Sequence, residues 1–137
     1  MAPFAWALAL ALLAAGPALA GSLEGGSWKV VRAERGGEPN AAELNAVLTF
    51  ADGKLTLVSP EGETVEFDYT VDAGQDPAQI DLARGEGDKR FTLQGIWMVT
   101  DGEFSLCLST PFSDRPTEFA TRPGKATSLT IHERAEK

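Results

Sequence analysis

Glu63 to Asp72 reads ETVEFDYTVD, and apolar side chains occupy every second position: Val65, Phe67, Tyr69 and Val71 fall on one face, Thr64, Glu66, Asp68, Thr70 and Asp72 on the other. Period two is the period of a strand, in which successive side chains point to opposite sides of the pleat. One apolar and one polar face predict an antiparallel strand with one side packed and the other wet.

The same pattern recurs on both sides of this stretch. Leu55 and Leu57 alternate with Lys54 and Thr56, Ile80 and Leu82 with Gln79 and Asp81, Phe104, Leu106 and Leu108 with Glu103, Ser105 and Cys107, and Leu129 and Ile131 with Ser128, Thr130 and His132. Trp28 to Glu34 and Val47 to Ala51 read as further strands. Phe91 to Val99 places Phe91, Leu93, Gly95, Trp97 and Val99 on one face, while Ile96 and Met98 make the other face apolar too and predict a cover over it. Asp52-Gly53, Pro60-Glu61-Gly62, Gly85-Glu86-Gly87-Asp88 and Asp101-Gly102 are turn signals too short for crossover helices. Only Gly36 to Ala46, with one helical turn expected after Asn40 as cap, and Ser109 to Thr127 are longer connections. Eight neighbouring strands, each with one apolar face, are best served by closing the sheet, because closure removes exposed edges. The expectation is therefore an all-β, eight-stranded antiparallel up-and-down barrel, with a two-sheet sandwich as the alternative.

The chain has 137 residues, 20 acids and 12 bases, and a formal net charge of -8. Such acidity argues against nucleic acid and anionic membrane surfaces as partners. Residues 1–20, MAPFAWALALALLAAGPALA, carry no charged side chain; an apolar run, the Gly16-Pro17 break and Ala18-Leu19-Ala20 read as a signal peptide cut after Ala20. The competing reading is an uncleaved membrane anchor. Ser22 stands where a lipoprotein would need Cys, so the expectation is an exported, soluble, monomeric protein, periplasmic or extracellular, with residues 21–137 as one barrel domain. The single Cys107 has no partner within the chain, which leaves a packed thiol or an intermolecular disulfide.

Gly26-Ser27-Trp28 at the head of the first strand resembles the G-x-W start of lipocalins and lipocalin-like (calycin-like) domains, in which the Trp plugs the closed end of the barrel. Asn45 to Leu57 as a hairpin, Leu93-Gln94-Gly95-Ile96-Trp97 before Asp101-Gly102, Leu106-Cys107-Leu108, and Arg115-Pro116-Thr117-Glu118-Phe119 occur in the order of a paralogous domain family of planctomycete bacteria whose function is unknown. The resemblance implies an exported lipocalin-like domain and supplies no activity. It also implies a C-terminal Arg, Arg115 or Arg122, packed over Trp28 and tying the loop to the barrel end. The chain departs from the lipocalin pattern in its shortness, its lack of a disulfide and the absence of a helix signal after the last strand.

Catalytic sites fail on counting. One histidine and one cysteine cannot supply a four-ligand N/S zinc site, no G-x-S-x-G elbow offers a nucleophile, and Gly85 to Asp88 lacks the G-K-[ST] of a phosphate loop. The acids Glu61, Glu63, Glu66, Asp68, Asp72 and Asp76 show no calcium-loop spacing and read as a solvated face. His132 falls on the polar side of its strand and reads as exposed. Paired carboxylates across a barrel mouth would leave no linear motif, so an enzyme stays a third reading without sequence support. No cofactor and no metal are expected.

Two classes remain: a hollow barrel that binds a small apolar molecule, or a filled one that serves as a structural or protein-contact module of the cell envelope. Trp28, Val30, Leu48, Phe50, Leu55, Leu57, Val65, Phe67, Tyr69, Ile80, Leu82, Phe91, Leu93, Trp97, Phe104, Leu106, Leu129 and Ile131 are the expected inward residues. In that crowd Gly95 is the gap, so the expected ligand site is a small cavity beside Tyr69, Gly95 and Trp97. A cavity above roughly 300 Å³, the lower end for ligand pockets, separates the two classes.

Overall fold

Among the described residues nine strands follow one another: β1 Ser27–Arg35, β2 Glu38–Pro39, β3 Val47–Ala51, β4 Lys54–Val58, β5 Thr64–Asp72, β6 Ala78–Arg84, β7 Phe91–Thr100, β8 Glu103–Ser109 and β9 Thr127–Arg134. They are seen in a computed structural model that describes residues 23–135; the expected signal peptide lies outside the described residues. Each strand from β3 onward pairs antiparallel with the next, and β9 returns to pair with β1. The result is a closed eight-stranded up-and-down barrel, with β2 as a two-residue spur on the end of β1.

Local chemistry explains the hairpins. Asp52 and Gly53 have φ of 57° and 75°, and Asp101 and Gly102 have 54° and 81°, so both two-residue loops take the left-handed conformation at both positions. That geometry matches the twist of the flanking strands and is why Asp-Gly occurs there. The helical turn expected after Asn40 is a short 3-10 segment, Ala41–Glu43; the Asn40 side chain does not cap the backbone but donates from Nδ2 to Glu43 Oε2 at 2.8 Å.

β1 contains a bulge. Val30 pairs with His132, and the next partner, Ile131, is met by Arg32 rather than Val31. An extra residue flips the alternation that follows, so Trp28 and Val30 face inward before it, and Ala33 and Arg35 after it. Without the bulge the even-numbered Glu34 would face the interior in place of Arg35.

Two apolar clusters result. The interior holds Trp28, Val30, Leu48, Phe50, Leu55, Leu82, Trp97, Phe104 and Leu106, with Leu23 added from the segment before β1. The second lies outside the wall, where Ile96, Cys107 and Leu129 pack with Phe119 and Ile131. Phe119 belongs to the long β8–β9 connection, which crosses the outer face as a strap and supplies the cover expected over Ile96. Met98 stays 43% exposed, so the cover stops short of it. Arg115 pins the strap: its Nη1 donates to Gly95 O at 2.9 Å and Ile80 O at 3.2 Å, and its Nη2 lies 3.0 Å from Asp81 Oδ1. Thr121 Oγ1 accepts from Gly37 N–H at 2.8 Å further along. Cys107 is wholly buried beneath the strap, and that burial pushes its thiol pKa up.

The position of β9 corrects the sequence reading. Leu129 and Ile131 face outward under the strap, and Ser128, Thr130 and His132 face the interior. His132 is therefore fully buried rather than exposed. Register with β8 fixes this, since Phe104 and Leu106 point inward and are paired with His132 and Thr130.

Candidate ligand-binding site

The interior divides along the barrel axis. At one end, aromatic rings close it: Trp28 meets Phe104 at 5.3 Å between ring centres, Phe50 meets Tyr69 at 4.9 Å and Phe104 at 5.7 Å, and Trp97 meets Phe104 at 6.5 Å. Tilted and edge-on packing of this kind fills space well and leaves the rings few alternatives. Trp28 has no exposed surface, and the cation over it is Arg134, whose Cζ lies 4.5 Å from the ring centre. Arg115 and Arg122 do other work, because β9 continues far enough to deliver Arg134 opposite Trp28. Arg115 pins the strap, and Arg122 forms a two-pronged pair with Glu118 at 2.8 and 2.9 Å on the surface.

Toward the other end the aromatic filling gives way to a cavity of about 430 Å³. Its walls differ. Leu48, Leu55, Leu57, Phe67, Leu82 and Leu93 come from β3 to β7 and form an apolar side, whereas β9, which lies across the barrel from β5, contributes Ser128, Thr130 and His132. Along β9 the inward residues step from rim to floor, with Ser128 and His132 about 13 Å apart along the strand. The rim is made by Arg35, Glu43, Ser59, Pro60, Pro111 and Lys125. Arg35 reaches it only because of the bulge, and lies 3.5 Å from Glu43.

His132 forms part of the floor. Its ring stacks on Phe104 with centres 4.8 Å apart, and Nδ1 lies 2.8 Å from Phe104 O. A carbonyl oxygen only accepts, so Nδ1 carries the hydrogen. The far nitrogen, Nε2, is buried and has no hydrogen-bond partner among the described residues. Burial disfavours the charged imidazolium and lowers the pKa to about 4, against the smaller opposing pull of the Phe104 carbonyl. The ring is neutral at pH 7.

Tyr69, Gly95 and Trp97 are not among the residues lining this cavity. Tyr69 donates its hydroxyl to Glu24, and burial with that bond raises its pKa, while the carboxyl of Glu24 is lowered by the same bond and by the Asp52 N–H. Trp97 donates from Nε1 to Gln79 O at 3.0 Å and packs in the aromatic end. Gly95 is no gap: a Cβ there would come 2.6 Å from Leu108 Cδ2 and 2.7 Å from Cys107 O. Glycine is needed at this point because β8 passes too close for any side chain. Among the described residues no three His, Cys, Asp or Glu side chains gather as a metal site would require.

The site missed by sequence reasoning is therefore the β9 wall. A signal existed in the neighbouring strand, because pairing His132 with Phe104 would have turned it inward, but a long connection leaves that register open. No family model, no curated protein and no solved structure matches the chain.

Proposed function

We propose that the protein is an exported, lipocalin-like binding protein that holds one small apolar molecule in the open half of its barrel, without converting it. The observation that carries this reading is the cavity of about 430 Å³ with a largely leucine-lined side. Ligand pockets run from roughly 300 to 1,000 Å³ and combine apolar walls with a few placed polar groups. Removing apolar surface from water supplies the affinity, at about 25 cal/mol per Å² before the costs of association are subtracted.

Titration with the fluorescent apolar probe N-phenyl-naphthylamine tests it. The expected result is saturable enhancement at one site, weakened tenfold or more by Ser128→Phe, which would place a ring across the upper cavity. Equal binding by wild type and Ser128→Phe would move the site elsewhere, and no enhancement with this or chemically varied apolar probes would remove the reading. Trp28 and Trp97 lie off the cavity, so an extrinsic probe is the better reporter. Export is tested separately by N-terminal sequencing from the native host, with Gly21 as the expected first residue and retained Met1 as the contrary result.

A further inference from the structure

A buried acceptor with nothing to accept is an uncommon feature at the bottom of a leucine-lined pocket, because buried polar atoms are nearly always paired. His132 has no exposed surface and lines the cavity floor. Its Nδ1 is committed as donor to Phe104 O, so in the neutral ring Nε2 is a lone-pair acceptor. Nε2 is the ring nitrogen farther from the backbone of this inward-facing, cavity-lining residue. Val30 pairs with His132 across the strands, Phe104 stacks on its ring, and Leu106 and Thr130 line the same cavity; none of the four carries a charged side chain.

We propose that His132 Nε2 selects the ligand: the molecule held in the cavity is an apolar chain or ring that carries a hydroxyl or N–H donor at the end that enters first. This inference rests on the binding role proposed above and adds the chemistry of the ligand's inner end. An ether or aldehyde oxygen offers no hydrogen and would face the nitrogen lone pair with its own, leaving both groups unpaired in a dry site. The apolar side formed by β3 to β7 accommodates the rest of the molecule, while Thr130 and Ser128 line the wall above the donor.

Displacement of N-phenyl-naphthylamine by decanol, decanal and methyl nonyl ether provides the test. The three have the same number of non-hydrogen atoms, and only decanol has a donor. Decanol is expected to compete about tenfold more strongly than the other two, roughly the effect of one unpaired buried group. The preference would run against simple partitioning, which favours the less polar ether. His132→Phe, which keeps a ring against Phe104, is expected to lose the preference for decanol, with each competition read relative to that protein's own affinity for the probe. Nitrogen NMR of the wild-type imidazole reads the contact without any substitution, and the unprotonated Nε2 resonance is expected to shift with decanol and to stay in place with the ether. Equal competition by all three molecules, with saturable probe binding intact, would overturn the donor rule and leave the binding role standing. So would a decanol preference that persists in a folded His132→Phe, or an Nε2 resonance unmoved by decanol. No saturable binding of N-phenyl-naphthylamine, and none of the three competitors, would overturn both.

Discussion

The two halves of this barrel are built from the same ladder and the same alternation, yet one is solid and the other hollow. At the closed end Trp28, Phe50, Trp97 and Phe104 meet ring against ring, and the two tryptophans and both phenylalanines are at most 1% exposed. At the open end the inward positions are held by Leu57, Leu93, Leu108 and Ser128, all only partly buried. Strand pairing fixes where a side chain points; its volume then decides whether the enclosed space is filled. A large aromatic supplies far more contact area than a leucine or serine, so the plug carries packing stability and the cup gives some of it up for room.

Truncation at the plug should have the largest effect. Trp28→Ala removes the ring that Arg134 covers and Phe104 meets, and is expected to cost about 3 to 5 kcal/mol in urea unfolding, as large aromatic deletions in cores do. A loss below about 0.5 kcal/mol, within the range of ordinary surface changes, would mean that the two ends do not differ in packing.

His132 sits where plug and cup meet, and acid should break that junction. Its pKa is about 4 in the folded protein against an ordinary 6.5, so between those values the unfolded chain binds more protons. Stability is then fully present above pH 6.5, falls as pH drops toward 4, and loses about 3 kcal/mol from this group by the lower limit. Glu24, Asp68 and Glu118 are also held below their ordinary values and add acid sensitivity beginning near 4.5 and continuing downward. The difference between wild type and His132→Phe isolates the imidazole: a pH slope from 6.5 to 4 that is the same in both would show that the ring is not buried neutral.

The smallest effect belongs to the cup. Ser128→Ala removes a hydroxyl from the upper cavity wall, where there is little packing to lose, and should change unfolding free energy by no more than about 0.5 kcal/mol. A loss comparable to that of Trp28→Ala would show that the open half is packed after all.

Much of this was legible in the sequence, for a definite reason. In β5 a wet outer face and a packed inner face make the alternation unambiguous, and Asp-Gly pairs fix the registers of β3 with β4 and β7 with β8. β9 was misread because its outer face is dry: Leu129 and Ile131 satisfy their hydrophobicity under Phe119, which leaves the interior side to Ser128, Thr130 and His132. Period two reports that a strand has two unlike faces and does not report which of them is the barrel's inside. The bulge at Val31 was silent for a similar reason, since a one-residue slip in pairing has no side-chain signature, and with it the arrival of Arg35 at the rim was hidden. Gly95 was readable as a glycine that matters, but missing volume in one strand can be taken up by its neighbour, and Leu108 and the β8 backbone take it up.

The Ala135 N–H donates to Ser27 O at 2.9 Å, which joins the two extremities of the barrel's own chain beside Trp28. Both extremities thus leave from the pole opposite the mouth. A reporter domain, affinity tag or surface linker fused after Ala135, or ahead of the core residue Leu23 that precedes Ser27, would hold the barrel by its base with the cup facing outward, so the protein can be immobilised on a sensor from either side without covering the mouth. The short span between those residues also marks a natural seam for circular permutation, with new ends opened at the exposed Pro60-Glu61-Gly62 turn.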